Sequence, residues 1–128
     1  MDKNQNTKQY DLEDRTLEFA RKVRAFVKKI PRTIGNIEDG KQVIRSSGSV
    51  GANYIEANEA LSKKDFLMRI KICRKESKES KYWLILVDIA NSKELESERK
   101  ELVREAHELM MIFSSIMRKS QSTTEAQN

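Results

Sequence analysis

The residues of this chain whose types and spacing could do chemistry fall into three groups. There are acid pairs at i, i+3, among them Glu56-x-x-Glu59 and Glu76-x-x-Glu79; a single histidine, His107, and a single cysteine, Cys73; and a run of lysines and arginines between Lys63 and Lys81. Acids at i, i+3 share a helix face, the start of a carboxylate-bridged di-iron site, which also needs two Glu-x-x-His pairs from facing helices. Neither acid pair precedes a histidine here. The template fails, the acids read as residues of solvated or interhelical faces, and no metal or cofactor is expected. His107, lacking a partner cysteine or second histidine, reads as structural. Cys73 reads as a small buried hydrophobe. Gly48-Ser49-Val50-Gly51 lacks the lysine of a phosphate loop, and neither a GxSxG elbow nor a dinucleotide fingerprint occurs. No reaction is named by these residues, and we expect a protein that is not an enzyme.

The basic run is more informative. Net charge is +5, and residues 61–82 hold eight Lys/Arg against three Asp/Glu, so this one segment carries the basic excess. Lys64, Lys71, Lys75 and Lys78 fall on one outer helix face, with Arg74 and Lys81 beside them. Such a stripe can neutralise phosphates, with binding that falls steeply as salt rises. Its competitor is a solvated lysine face. Tyr82 and Trp83 read as packing or interface residues rather than a base-stacking platform.

A polar band accompanies it. Gln42, Arg45, Ser46, Ser49, Asn53 and Glu56 are spaced by three, four or seven and share one side of a helix. Arg45 and Glu56 are poor candidates for burial unless paired. If Arg45, Asn53 and Glu56 meet Glu76 or Glu79 across an interface, they form a polar network that fixes helix register. The alternative has the band facing a ligand or a neighbouring subunit.

Long helices must position these groups. With 4 Gly and 1 Pro in 128 residues, the chain lacks the turn chemistry of an all-β fold. Leu12, Phe19, Val23, Phe26, Val27 and Ile30 line one face of a first helix, which Pro31 stops. A second helix starts near Thr33–Asn36 and runs to about Leu61, with Ile37, Ile44, Gly48, Gly51, Ile55 and Asn58 on one stripe. Its glycines imply close approach of a neighbour or a kink. Ser62-Lys63-Lys64-Asp65 resembles a capping box opening a third helix. There Phe66, Ile70, Cys73, Ser77, Ser80, Leu84 and Val87 alternate by four and three, as bundle packing requires. A fourth helix starts between Ser92 and Ser97 and ends near Lys119. Leu95, Leu102, Ala106, Leu109, Phe113 and Ile116 form its stripe, and Met110-Met111-Ile112 widens it enough to suggest self-association.

Short connections make neighbouring helices antiparallel, so we expect an all-α, up-down-up-down four-helix bundle over residues 10–120, flanked by disordered tails at 1–9 and 121–128. One cysteine, a polar N-terminus and the lack of any apolar run approaching the roughly 20 residues of a membrane helix point to a cytoplasmic protein without a membrane partner.

Three linked segments carry a family resemblance. They are Gln42-x-x-Arg45-Ser46-x-x-Ser49-Val50-x-Ala52-Asn53-x-Ile55-Glu56-Ala57, Ser62-Lys63-Lys64-Asp65-Phe66 and Lys75-Glu76-x-x-Glu79-x-x-Tyr82-Trp83-Leu84. In this order they resemble the four-helix bundle proteins encoded in 23S rRNA intervening sequences, and more distantly the accessory protein of diversity-generating retroelements. The resemblance spans roughly Tyr10 to Lys119. It implies an antiparallel bundle assembled as a homopentamer, without enzymatic activity, and association with RNA or DNA or with a protein partner. The retroelement relative binds nucleic acid and a reverse transcriptase through its basic surface. Lys75-Glu76-Ser77, where many members have Gly-Ser-Leu, and Tyr54 mark a subfamily variant. The residues expected to carry function are Lys64, Lys71, Arg74, Lys75 and Lys78 for phosphates. Those expected in the polar network or an interface are Gln42, Arg45, Ser49, Asn53, Glu56, Glu76 and Glu79.

Overall fold

The computed structural model describes residues 8–127, with side chains described for residues 12–122. Four helices follow one another: α1 (Lys8–Lys29), α2 (Ile34–Asn58), α3 (Lys63–Leu86) and α4 (Lys93–Gln127). Each packs against the next and α4 closes back on α1, giving the antiparallel up-down-up-down bundle. Residues 1–7 and Asn128 of the expected tails lie outside the described residues. At the other end α4 runs past its expected stop near Lys119 to Gln127.

Local chemistry sets the helix ends. Thr33 caps α2 by accepting from the Asn36 N–H, Ser62 caps α3 by accepting from the Asp65 N–H, and Ser92 accepts from the Leu95 N–H at the start of α4. The α3–α4 turn uses Ala90 and Asn91 in the left-handed region, at φ 53° and 60°. At the C-terminus of α3, Arg99 reaches back from α4 and donates to the carbonyls of Val87 (2.7 Å) and Ile85 (3.3 Å), groups the helix itself leaves unbonded.

The core is built from Phe19, Val23 and Phe26 of α1, Val43 and Val50 of α2, Ile70 and Leu84 of α3, and Leu102, Leu109 and Phe113 of α4, all essentially sealed from solvent. On α3 the buried positions Ile70, Cys73, Ser77, Ser80 and Leu84 follow the expected stripe, while Phe66 is only partly buried. On α2 the stripe read from isoleucines is rotated. The buried set is Asn36, Gly40, Val43, Ser47, Val50, Tyr54 and Ala57, joined by Ser46. Ile37 and Ile55 are exposed and Ile44 is half-buried. The cause is the short distance between α2 and α3: serine and alanine fit a close seam that isoleucine would hold apart.

Hydroxyls inside that seam are satisfied within it. Ser77 Oγ donates to the Cys73 carbonyl (2.8 Å) and Ser80 Oγ to that of Glu76 (2.9 Å). The Ser46 and Ser80 hydroxyls meet across the seam at 2.8 Å, a bond that either can donate because each also has a carbonyl of its own helix within reach. Gly51 answers the glycine question: a methyl there would come 2.9 Å from Thr16 Oγ1 of α1, so close helix approach explains it. Gly48 has no such constraint, since an added methyl would meet only the flexible Arg24 guanidinium, at 3.4 Å. Neither glycine interrupts α2, which is continuous through both.

Candidate functional site

The polar band of α2 divides into two contacts at the α3 boundary. Arg45 spans the interface to Glu76 (3.3 and 3.4 Å) and to Glu79 (3.2 Å). The Glu76 carboxylate is only 8% exposed, so Arg45 supplies the charge that its burial requires. Two turns along, Asn53 donates to the Ser49 carbonyl and hydroxyl, and its own oxygen accepts from Arg69 of α3 at 3.0 Å. Sequence reasoning paired Asn53 with the glutamates and passed over Arg69. The guanidinium at position 69 has a separation from Asn53 that no single-helix periodicity reveals. Gln42 and Glu56 are exposed on α2 and reach neither cluster.

The five expected phosphate contacts, Lys64, Lys71, Arg74, Lys75 and Lys78, are all exposed and follow the outer face of α3. Their position follows from the core stripe: burying Ile70, Cys73, Ser77 and Ser80 turns 71, 74, 75 and 78 outward. Glu76 and Glu79, the acids that interrupt the run in sequence, are drawn sideways to Arg45. The ridge is therefore more uniformly cationic in space than along the chain.

Beyond the ridge, α3 and α4 enclose a groove of about 470 Å³. Ile85 and Val103 form its apolar floor, and Lys81, Lys100, Arg104 and His107 surround it. His107 is exposed, and its Nδ1 lies 3.2 Å from Lys81 Nζ. An ammonium has no lone pair to offer, so Nδ1 accepts and the ring carries its proton on Nε2. Tyr82, outside the groove's lining, is 59% exposed, its ring edge-on to Trp83 at 5.0 Å. Trp83 is half-buried against the core, with its Nε1–H buried and unbonded. Of this pair, expected as packing or interface residues, Trp83 packs on the core and Tyr82 is exposed. Alternation by three and four, extended past Lys78, was the signal that could have found the groove's α3 wall.

Between α1 and α4 lies a second groove, of about 730 Å³. Arg15 crosses it with a two-pronged bond to Glu105 (2.7 and 2.8 Å) and a third to Glu108 (2.7 Å); Lys29 meets Glu98 at 2.9 Å. The hydrogen bonds to Glu105 and then Glu108 raise the Arg15 pKa against the opposing effect of burial.

Cys73 is fully buried, with Sγ 3.4 Å from the Val50 carbonyl, and desolvation pushes its thiol up to about 12. Held as a neutral thiol, it has none of the thiolate character a nucleophile needs. Among the described residues no group of three or more His, Cys, Asp or Glu side chains gathers in a metal-binding arrangement, and no helix is long and apolar enough to cross a membrane.

Among curated proteins, none matches the chain. A crystal structure of a protein of unknown function from the S23 ribosomal protein family of Bacteroides thetaiotaomicron is similar, with a TM-score of 0.73 at 28% identity, covering 88% of this chain and 99% of that one. The family model described as 23S rRNA-intervening sequence protein matches residues 8–115, from α1 into the fourth helix, and the chain belongs to that family.

Proposed function

We propose that this chain is a non-enzymatic binding protein that associates with nucleic acid, RNA ahead of DNA, through the outer face of α3. The observation that carries the reading is the exposure of Lys64, Lys71, Arg74, Lys75 and Lys78 along one face, with Glu76 and Glu79 engaged by Arg45. Cations without local acid partners are free to replace the counterions of a phosphate backbone. The family's description names an rRNA context, which makes RNA the first probe.

The protein acts as a homo-oligomer, with the pentamer implied by the family resemblance as the arrangement to test. Support comes from apolar surface left on the outside of the bundle. Leu17 and Ile55, each 51% exposed, flank a groove of about 450 Å³ between α1 and α2 whose floor includes Gly48, Gly51 and Ala52. Of the Met110-Met111-Ile112 segment only Met111 is exposed, so the surplus apolar surface is concentrated elsewhere than the sequence suggested. The same observation favours a second reading, an adaptor that binds protein and leaves its lysines solvated.

Binding of RNA and DNA to the purified protein across a salt series, with mass from light scattering, tests both. Affinity that drops steeply with salt, and that collapses in the triple variant Lys71→Glu, Lys75→Glu, Lys78→Glu, supports nucleic-acid association. An oligomer indifferent to either polymer supports the adaptor.

A further inference from the structure

We infer that copies of this chain join head to tail, the outer face of α3 of one copy seated in the groove between α1 and α2 of the next, an inference that rests on the self-association proposed above. The outer face of α3 changes character along its length. Lys71, Lys75, Lys78, Tyr82 and Leu86 succeed one another by four, three, four and four residues, all exposed and turned away from the core stripe. The first three are cations. Tyr82 (59% exposed), Leu86 (50%) and the adjoining Ile85 (56%) form an apolar end. Side chains at i, i+3 and i+4 are the anchor set by which a helix lies in an apolar groove. Phosphates gain nothing from that end, so the ridge alone does not account for it.

The α1–α2 groove offers the matching shape with the opposite order of charge. Gly48, Gly51, Ala52 and Ala20 keep its lining small, and Leu17 and Ile55, each 51% exposed, flank it. Along α1 its lining runs from Glu13 and Asp14 to Arg21 and Arg24, acid at one end and cation at the other. On α3 the apolar end lies between Lys78 and the exposed Asp88, cation first. With the incoming α3 parallel to α1, Lys78 faces Asp14, the apolar side chains face Leu17 and Ile55, and Asp88 faces the arginines. Turned round, like charges meet at both ends. Lys78 to Leu86 spans about 12 Å of helix and Asp14 to Arg24 about 15 Å, so the anchor set fits within the groove. Two unlike, mutually complementary surfaces on one chain are what a heterologous contact requires, and each copy keeps one free ridge and one free groove until a ring closes. The contact takes up Lys78 and leaves Lys64, Lys71 and Arg74, nearer the N-terminus of α3, to phosphates.

The test uses the full-length protein, with mass from light scattering over a dilution series. Leu86→Lys disables the ridge by setting a cation against Arg21 and Arg24, and Leu17→Lys disables the groove by setting one against Lys78. Each variant alone should be monomeric, its self-association weakened at least about thirtyfold, the scale of losing an interface anchor. Mixed in equal amounts, they should form a species of twice the protomer mass and no larger, because one intact ridge meets one intact groove. Asp14→Lys should weaken the assembly about threefold, the scale of a rim ion pair, and Lys78→Glu in the same chain should restore it. All four side chains are exposed, and thermal unfolding verifies that the variants fold. Tyr82→Lys and Ile55→Lys serve the same two arms if either first variant does not. An oligomer that survives Leu86→Lys or Leu17→Lys would overturn this contact and leave self-association standing. Two monomeric variants whose mixture stays monomeric would overturn the head-to-tail arrangement, and a double charge variant weaker than Asp14→Lys would overturn its orientation. An unaltered protein that is monomeric throughout the series would remove the self-association reading and this one together.

Discussion

The α2–α3 seam and the α1–α4 seam differ in what fills them, although each is bridged by an arginine to two glutamates, Arg45 to Glu76 and Glu79 in the first and Arg15 to Glu105 and Glu108 in the second. At the first, serines, a cysteine and an alanine let two helices come close, and each hydroxyl bonds to a carbonyl or to its neighbour inside the contact. At the second, the helices diverge around a groove of about 730 Å³, and long charged side chains bridge the space. Close packing in the dry seam depends on shape and tolerates no change of volume. The wet seam depends on Coulomb attraction between partly exposed groups, which water and salt weaken. A bundle made this way has one close-packed edge and one open edge, and its cationic ridge is carried on α3, at the close-packed one.

Overfilling the close seam should produce the largest effect. Ser80→Leu forces two extra heavy atoms into a site with no space and removes the hydroxyl partner of Ser46, so we expect a loss of about 3 kcal/mol in urea unfolding. A loss under about 1 kcal/mol would mean that the seam can open as the α1–α4 seam does.

Alkaline pH provides a second probe of the same seam. Desolvation raises the Cys73 thiol from its ordinary 9.0 to about 12. Between those values the unfolded chain releases a proton that the folded chain retains, so stability falls as pH rises through this window, by up to about 1.4 kcal/mol per unit from this group. Tyr54, raised chiefly by burial, acts in the same direction. Replacing Cys73 with alanine should flatten the decline, and the native thiol should resist disulfide reagents at pH 8 until the protein unfolds.

On the open seam, Arg15→Ala should cost only about 1 kcal/mol, and the loss should shrink with added salt. An effect of similar size at high salt would show that Arg15 contributes packing rather than charge. The smallest effect belongs to the α1–α2 side: Gly48→Ala should stabilise the protein by up to about 1 kcal/mol, since α2 gains helix propensity and the new methyl meets only the movable Arg24 side chain. Gly51→Ala, directed at Thr16, should fail to show that gain.

Much of the architecture was legible because long helices leave a repeating record. The α3 stripe from Ile70 to Val87, the stop at Pro31 and the cap at Ser62 each depend on residues within one or two turns of one another. The α2 face was misread for a related reason. Hydrophobicity marks a buried stripe only when the interior needs bulk; here the buried stripe is marked by smallness, and Ile37 and Ile55 lie outside. Asn36 is a sharper case. It seemed only part of a helix start, yet it is 3% exposed, donates to the carbonyls of Pro31 and Asp88 and accepts from the Asp88 N–H, tying the α1–α2 turn to the α3–α4 turn. Of the candidate site, the ridge cations and the Arg45–glutamate pairing could be anticipated, whereas Arg69 and the α4 wall of the groove could not.

The sequence by itself determined the helices, their order and antiparallel sense, and which lysines of α3 face outward, because these depend on local spacing, capping and the turn that 3.6 residues make. Only the tertiary structure decided how far apart neighbouring helices stand, that Glu76 and Glu79 turn away from the ridge, and that Lys81 and Ile85 meet Lys100, Val103 and Arg104 across a groove. Those facts depend on the summed volumes of side chains on different helices, and no period within one helix encodes the distance to its neighbour.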